Sequence, residues 1–171
     1  MKKQILDACC GGKMFWFDKE NPEVLFTDIR KMEPEKVGIG VNARIRKCLP
    51  DKLMDFRKMD LSDSSFTLVV FDPPHLSVGK NSYMAKCYGS LDKGNWQNDL
   101  KMGFSECFRV LKEKGILIFK WSESEIKLKE ILILSEYSPL FGHLSGKAAR
   151  THWVCFMKTE SLKKEDFHGR N

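Results

Sequence analysis

Asp72-Pro73-Pro74-His75 is the stretch of this chain best equipped for chemistry. Neither proline carries an amide hydrogen, so the Asp72 carboxylate and the Pro73 carbonyl offer hydrogen-bond acceptors with no donor between them. That pair suits a substrate NH2 group. Pro74 stiffens the turn. The His75 imidazole adds a ring that can stack on a base or, if its pKa rises, carry a charge. Taken alone, Asp-Pro-Pro is a turn with an Asp cap and a histidine is a polar loop residue. The surroundings change that reading.

A second group of acids stands upstream. Asp7 precedes the turn Cys9-Cys10-Gly11-Gly12, Asp28 follows about 20 residues later, and Asp55-Phe56 comes next. A Gly-rich turn lets backbone approach a ligand closely, and an acid at the next strand's end can accept from ribose hydroxyls. A purely structural turn explains the glycine pair equally well. No GxGxxG occurs, so a pyrophosphate site is not expected. Downstream, residues 76–94 make a long connection in which Lys80, Lys86 and Lys93 stand among Tyr83, Met84 and Tyr88. Basic and aromatic residues interleaved at a site's mouth can hold phosphates and stack bases. A solvated lid anchored by its aromatics is the plainer reading of the same residues.

These groups need elements to hold them. Residues 66–71 are β-branched and aromatic, apolar on both faces and too short for a globular helix, as a strand buried in a parallel sheet reads. The strand must stop at Asp72, because Pro74 bars its predecessor from the helical region. Short apolar runs predict further strands over residues 4–8, 24–27, 52–54, 116–119, 139–143 and 152–158. Asp7, Asp28, Asp55 and Asp72 then sit at strand carboxyl ends, the edge where open α/β sheets bind ligands. Residues 13–19 predict a short helix or turn whose aromatics partly fill the core and partly wall a pocket. Residues 30–50, broken by Pro34, Gly38, Gly40 and Pro50, predict irregular chain or a small hairpin over 37–45. Leu100, Phe104, Cys107, Phe108 and Leu111 recur at helical spacing and predict a helix that stops near Lys114-Gly115. Ser122 followed by Glu125 reads as the capping box of another. The last two strands, parted only by a loop at 144–150, predict an antiparallel hairpin on an otherwise parallel sheet. Residues 159–171 read as a frayed polar tail.

The 171 residues are enough for one domain with its own core, and 42% hydrophobic with 30% charged is an ordinary globular balance. A net charge of +6 favours a polyanionic partner without naming one. Six cysteines without CxxC spacing, several in apolar patterns, read as buried free thiols of a reducing compartment rather than disulfides or a zinc site. The N-terminus lacks a signal peptide's length and cleavage site, and no stretch is long enough to cross a membrane. A cytoplasmic protein without a metal is expected.

The sequence resembles the class I S-adenosylmethionine-dependent methyltransferases, and within them the amino-methyltransferases marked by Asp/Asn-Pro-Pro-aromatic. The resemblance spans residues 3–158, nearly the whole of the expected 1–158 domain. It rests on Leu6-Asp7-Ala8-Cys9-Cys10-Gly11-Gly12, Phe26-Thr27-Asp28, Met54-Asp55-Phe56-Arg57, Asp72-Pro73-Pro74-His75, and the helix-to-strand junction at Arg109–Leu117. The chain is also similar to a small group of phage and bacterial methyltransferase-like proteins built around Phe-Asp-Pro-Pro-His and a closing Thr-His-Trp-Val.

The resemblance implies a minimal Rossmann-like α/β fold with S-adenosyl-L-methionine as cofactor. Asp7 would order the first loop beside the methionine moiety, where Cys9 and Gly11 take places usually held by glycine. Asp28 would hold the ribose hydroxyls, and Asp55 the adenine amino group, with Phe56 against its ring. Asp72 and Pro73 would bind the amine being methylated, with His75 stacked on it and Pro74, Lys80, Tyr83 and Tyr88 nearby. A cysteine at position 9 and a histidine after Pro-Pro depart from the family pattern. Adenine N6 in DNA is the acceptor first expected. An RNA base (guanine N2 or adenine N6) is the alternative, as is a non-catalytic nucleic-acid-binding or scaffold subunit. Protein glutamine fits less well, since that branch prefers Asn-Pro-Pro-Tyr. With no segment left over for a recognition domain, specificity would fall to the loops, a second copy in a homodimer, or a partner subunit.

Overall fold

The computed structural model describes residues 3–37, 40–79, 82–145 and 150–165. Nine strands and three helices follow one another: β1 (Ile5–Asp7), β2 (Val24–Asp28), β3 (Met32–Val37), β4 (Arg44–Cys48), β5 (Lys52–Leu53), β6 (Phe66–Phe71), α1 (Tyr83–Tyr88), α2 (Trp96–Val110), β7 (Leu111–Ser122), α3 (Leu128–Leu132), β8 (Phe141–Ser145) and β9 (Thr151–Met157). Seven strands form one sheet in the order β5-β2-β1-β6-β7-β9-β8. β5, β2, β1, β6 and β7 run parallel, and β9 pairs antiparallel with both β7 and β8. The expected parallel sheet with a closing antiparallel hairpin is therefore present.

Side-chain alternation sets the two faces. Leu6 of β1, Val69 and Phe71 of β6, Leu117, Phe119 and Trp121 of β7 and Phe156 of β9 pack into one core beneath α2. The α2 residues Leu100, Phe104, Cys107 and Phe108 are fully enclosed there, as their spacing predicts. Val24 and Phe26 of β2 point the other way and pack with Cys10 and Trp16. No helix among the described residues is long and apolar enough to cross a membrane. All six cysteines are free, and five are buried, with Cys9 half-buried.

Four expectations need correction. The helix predicted to reach Lys114-Gly115 ends at Val110, because Leu111 already pairs with Phe66 at the start of β7. The Ser122–Glu125 capping box does not form: Ser122 ends β7, and Glu123 accepts from the Leu128 amide to start a five-residue α3. The hairpin over 30–50 is longer than 37–45, since β3 and β4 pair from Met32↔Cys48 to Val37↔Arg44. Residues 159–165 are held in place rather than frayed. Lys164 donates to the Leu132 and Ser135 carbonyls, and Lys163 bridges to Tyr137.

Candidate cofactor and acceptor site

The carboxyl ends of β1, β2, β5 and β6 meet two adjoining cavities. The larger, about 780 Å³, is lined by Asp28 and Ile29 from the end of β2 and Asp55 and Phe56 from the turn after β5. Pro74, residues 77–79 and residues 89–93 close it from the other side. The smaller, about 300 Å³, is lined by Gly11 and Gly12, by Asp72, Pro73 and His75, and by Lys120 and Tyr88. Cys9 and Arg30 border both.

The larger cavity is built on one local device used twice. In Asp28-Ile29-Arg30 the Arg30 amide and Nε both donate to Asp28 Oδ1 at 2.9 Å, and a terminal guanidinium nitrogen reaches Oδ2 at 2.8 Å. In Asp55-Phe56-Arg57 the Arg57 amide and Nε again donate to Oδ1, and NH2 reaches Oδ2 at 2.6 Å. An aspartate that bonds the backbone two residues on makes a tight turn, and the fork of the arginine locks it. The residue between lines the cavity in each turn: Ile29, 56% exposed, and Phe56, whose ring also packs on Phe71. Two apolar surfaces beside two carboxylates are what an adenosine needs, a flat ring to cover and hydroxyl and amino groups to accept from.

Asp28 is almost fully enclosed, and Gly11's amide adds a bond to its Oδ2 at 2.9 Å, so the glycine turn and β2 are tied together. Gly11 adopts a φ of +48°, which favours glycine at this turn. With four donors, Asp28 has its acceptor sites filled. Any hydroxyl that enters the cavity must therefore share or replace the Arg30 fork. Asp55 is similarly engaged, and Arg57 continues to Asp99 of α2 at 3.2 Å. The Arg57 fork holds the Asp55 carboxyl below the usual carboxylate range.

Asp7 lies behind the wall and lines neither cavity. Its carboxyl, completely buried, accepts from the Trp16 indole at 2.7 Å and the Cys9 amide. Burial pushes its pKa up to about 7, against the lowering effect of those two bonds. Its part is to position the Cys9–Gly12 turn. Trp16 packs edge-on against Phe26 and Phe15 faces the smaller cavity, but Phe17 is fully exposed, so the 13–19 aromatics divide among core, pocket and solvent.

Register places the acceptor group. Phe71 pairs with Phe119, so the next residue of each strand, Asp72 and Lys120, stand side by side. Lys120 Nζ holds Asp72 Oδ2 in an ion pair, and its ammonium lies 5.7 and 5.8 Å from the ring centres of Phe15 and Trp153. Asp72 Oδ1 has no protein partner among the described residues. His75 stands edge-on to Trp121, with ring centres 6.2 Å apart. Burial keeps its pKa below the ordinary imidazole value despite Asp72 nearby, which favours the uncharged ring.

Of the residues expected in the site, Asp72, Pro73, His75, Gly11 and Tyr88 meet in the smaller cavity. Asp28, Asp55, Phe56 and Pro74 meet in the larger, and Cys9 touches both. Tyr83 lines neither, and Lys80 lies outside the described residues. Lys120, Arg30, Arg57 and Asp99 are additions. Cys10, Asp28 and Cys48 have metal-ligand proximity. A cation does not fit there, because Arg30 and Gly11 already fill the only carboxylate.

No protein-family model matches the sequence, and no curated protein matches it. Solved structures do. A SAM-dependent methyltransferase of Methanosarcina mazei superposes with a TM-score of 0.53 over 92% of this chain and 94% of that one, at 12% identity. A TehB-like SAM-dependent methyltransferase of Corynebacterium glutamicum gives 0.52 over 92% and 81%, at 15% identity. A protein of Pyrococcus horikoshii gives 0.54 over 93% and 84%, also at 15%. The likeness is one of fold. The chain has the Rossmann-like fold of the class I methyltransferases.

Proposed function

We propose that the larger cavity binds S-adenosylmethionine and that the chain transfers a methyl group to an exocyclic amino group of a nucleic-acid base, adenine N6 of DNA foremost. One observation supports this above the rest: an Asp72 carboxylate held at one oxygen by Lys120, with no partner among the described residues at the other, in a cavity that adjoins the adenosine-like seat. Ile29 and Phe56 would cover the adenine, with Asp28 and Asp55 on its polar edge and the ribose. Bound there, the cofactor supplies a sulfonium-borne methyl as the electrophile.

An amine conjugated to a base is a poor nucleophile, because its lone pair is delocalised into the ring. Asp72 Oδ1 and the Pro73 carbonyl would accept hydrogen bonds from its two N–H groups and favour a pyramidal nitrogen, one of those protons being shed after the methyl group is transferred. What they supply is chiefly alignment, which is worth several kcal/mol in such reactions. Lys120 serves as a positioning residue, fixing Asp72 through Oδ2. The His75 ring, in its favoured uncharged form, offers a face to the base without adding charge. A base in a duplex must first be flipped out, at a few kcal/mol.

Incubation with tritiated S-adenosylmethionine and, separately, duplex DNA, single-stranded DNA, total RNA, protein extract and small metabolites tests the proposal. Label in DNA that digests to N6-methyladenine is the expected result. Label confined to RNA moves the acceptor to the alternative base, label only in protein or metabolite overturns the nucleic-acid reading, and no label from protein that binds S-adenosylhomocysteine leaves the scaffold reading.

A further inference from the structure

The two cavities differ in charge. Four aspartates face three cations around the larger one. Around the smaller, Lys19, Arg30, Arg46, Lys47 and Lys120 face one carboxylate, Asp72. A basic recess beside an acidic one sorts ligands by sign, since low-dielectric walls focus the field of the charges that line them.

Two of the five cations are engaged, Arg30 with Asp28 and Lys120 with Asp72. Lys19, Arg46 and Lys47 have no carboxylate partner among the described residues. Two of these belong to β4, and Met32 and Ile45 of the same hairpin also line the recess. Arg46 is held in place. Its NH1 donates to the Tyr88 hydroxyl at 2.8 Å, and its guanidinium lies 5.5 Å from that ring's centre. The hairpin itself is anchored: a Cβ on Gly12 would come within 3.2 Å of the Lys47 carbonyl, so β4 packs directly on the glycine turn. The described lysines of the 76–94 connection stand elsewhere. Lys86 lines neither cavity and Lys93 borders the cofactor side.

We infer that the acceptor is an anion whose successive phosphates are seated by Arg46 and Lys47 of the β3–β4 hairpin, beside Asp72, and not by Lys86 or Lys93 of the 76–94 connection. The inference rests on the methyl-transfer reading only for what becomes of the bound group. The hairpin occupies the chain position where a crossover helix would ordinarily join β2 to β5, and it carries the phosphate contact out to the rim of the acceptor recess. A preorganised guanidinium suits such a contact, because its planar fork pairs two phosphate oxygens at once.

The probe is a short fluorescent single-stranded oligodeoxynucleotide, followed by anisotropy over a salt series with saturating S-adenosylhomocysteine. Each phosphate contact contributes about 0.7 to the slope of log affinity against log salt. The Arg46→Gln/Lys47→Gln double variant should weaken binding at low salt about tenfold or more and flatten the slope by roughly 1.4, while Lys86→Gln leaves both unchanged. A methylphosphonate oligonucleotide, uncharged along its backbone, should bind weakly with almost no salt dependence. An unaltered slope in the double variant overturns the inference, as does a flattened slope in Lys86→Gln alone or equal binding of the uncharged probe. S-adenosylhomocysteine affinity on the same proteins reports the cofactor seat separately. Its absence from the folded native chain would sink the methyl-transfer reading and leave the phosphate seat to be judged by the slopes.

Discussion

Asp72→Ala should lower methyl transfer by about 100-fold or more, at least ~2.7 kcal/mol of transition-state stabilisation, while S-adenosylhomocysteine affinity stays within about threefold. Asp72 touches the acceptor recess and not the cofactor cavity, so the two readouts should separate. The fold should hold, because the Lys120 left without a partner is a quarter exposed and can be hydrated. Asp72→Asn is more informative. An amide has a single oxygen, and Lys120 claims it, which turns an NH2 toward the substrate amine, donor against donor. That variant should keep only slight activity, and adding Lys120→Met should raise it. Asp72→Ala retaining half the native rate would remove Asp-Pro-Pro from the mechanism.

Gly103→Ala should destabilise the chain by about 1–3 kcal/mol, although glycine in a helix interior ordinarily costs about 1 kcal/mol relative to alanine. Gly103 lies mid-way along α2, where a Cβ would sit 2.6 Å from Phe71 Cζ and 2.7 Å from Phe56 Cδ2. Phe71 is fully enclosed and packs tilted or edge-on against Phe104 and Phe119, so it has nowhere to go. Phe56 can yield only by moving within the cofactor cavity it lines. Urea unfolding should show the loss of stability, and calorimetry a weaker cofactor analogue. A variant more stable than the native chain would mean that this contact relaxes freely, and that Phe56 is not placed by α2.

How much was legible beforehand follows from the range of each interaction. β6, the Asp-Pro-Pro turn and the α2 stripe from Leu100 to Phe108 are local signals, and each stands where the sequence puts it. The acids at strand ends are legible because a strand's end is a local event. Arg30 and Arg57 were within reach too, since Asp-x-Arg recurs at two successive acids. Their forks depend on the turn geometry. Lys120 was illegible: it lies 48 residues from Asp72 and meets it only through the β6–β7 register. The same distance hides the hairpin's role, for Arg46 earns a fixed place from Tyr88, across 42 residues. The false capping box shows the converse. Ser122 and Glu125 match a local pattern, but pairing of Ser122 with Thr151 keeps that residue in the sheet. Likewise Leu111 continues the helical stripe of α2 but is taken by Phe66.

The seat for S-adenosylmethionine between Asp28 and Asp55 is the premise on which the acceptor chemistry rests, and titration calorimetry with S-adenosylhomocysteine tests it most directly. Native protein should give a clear heat of binding at one site per chain. Asp28→Ala should weaken it more than tenfold, over ~1.4 kcal/mol, in a protein whose melting shows it still folded. No heat from well-folded native protein, or an Asp28→Ala affinity equal to the native one, would contradict the account.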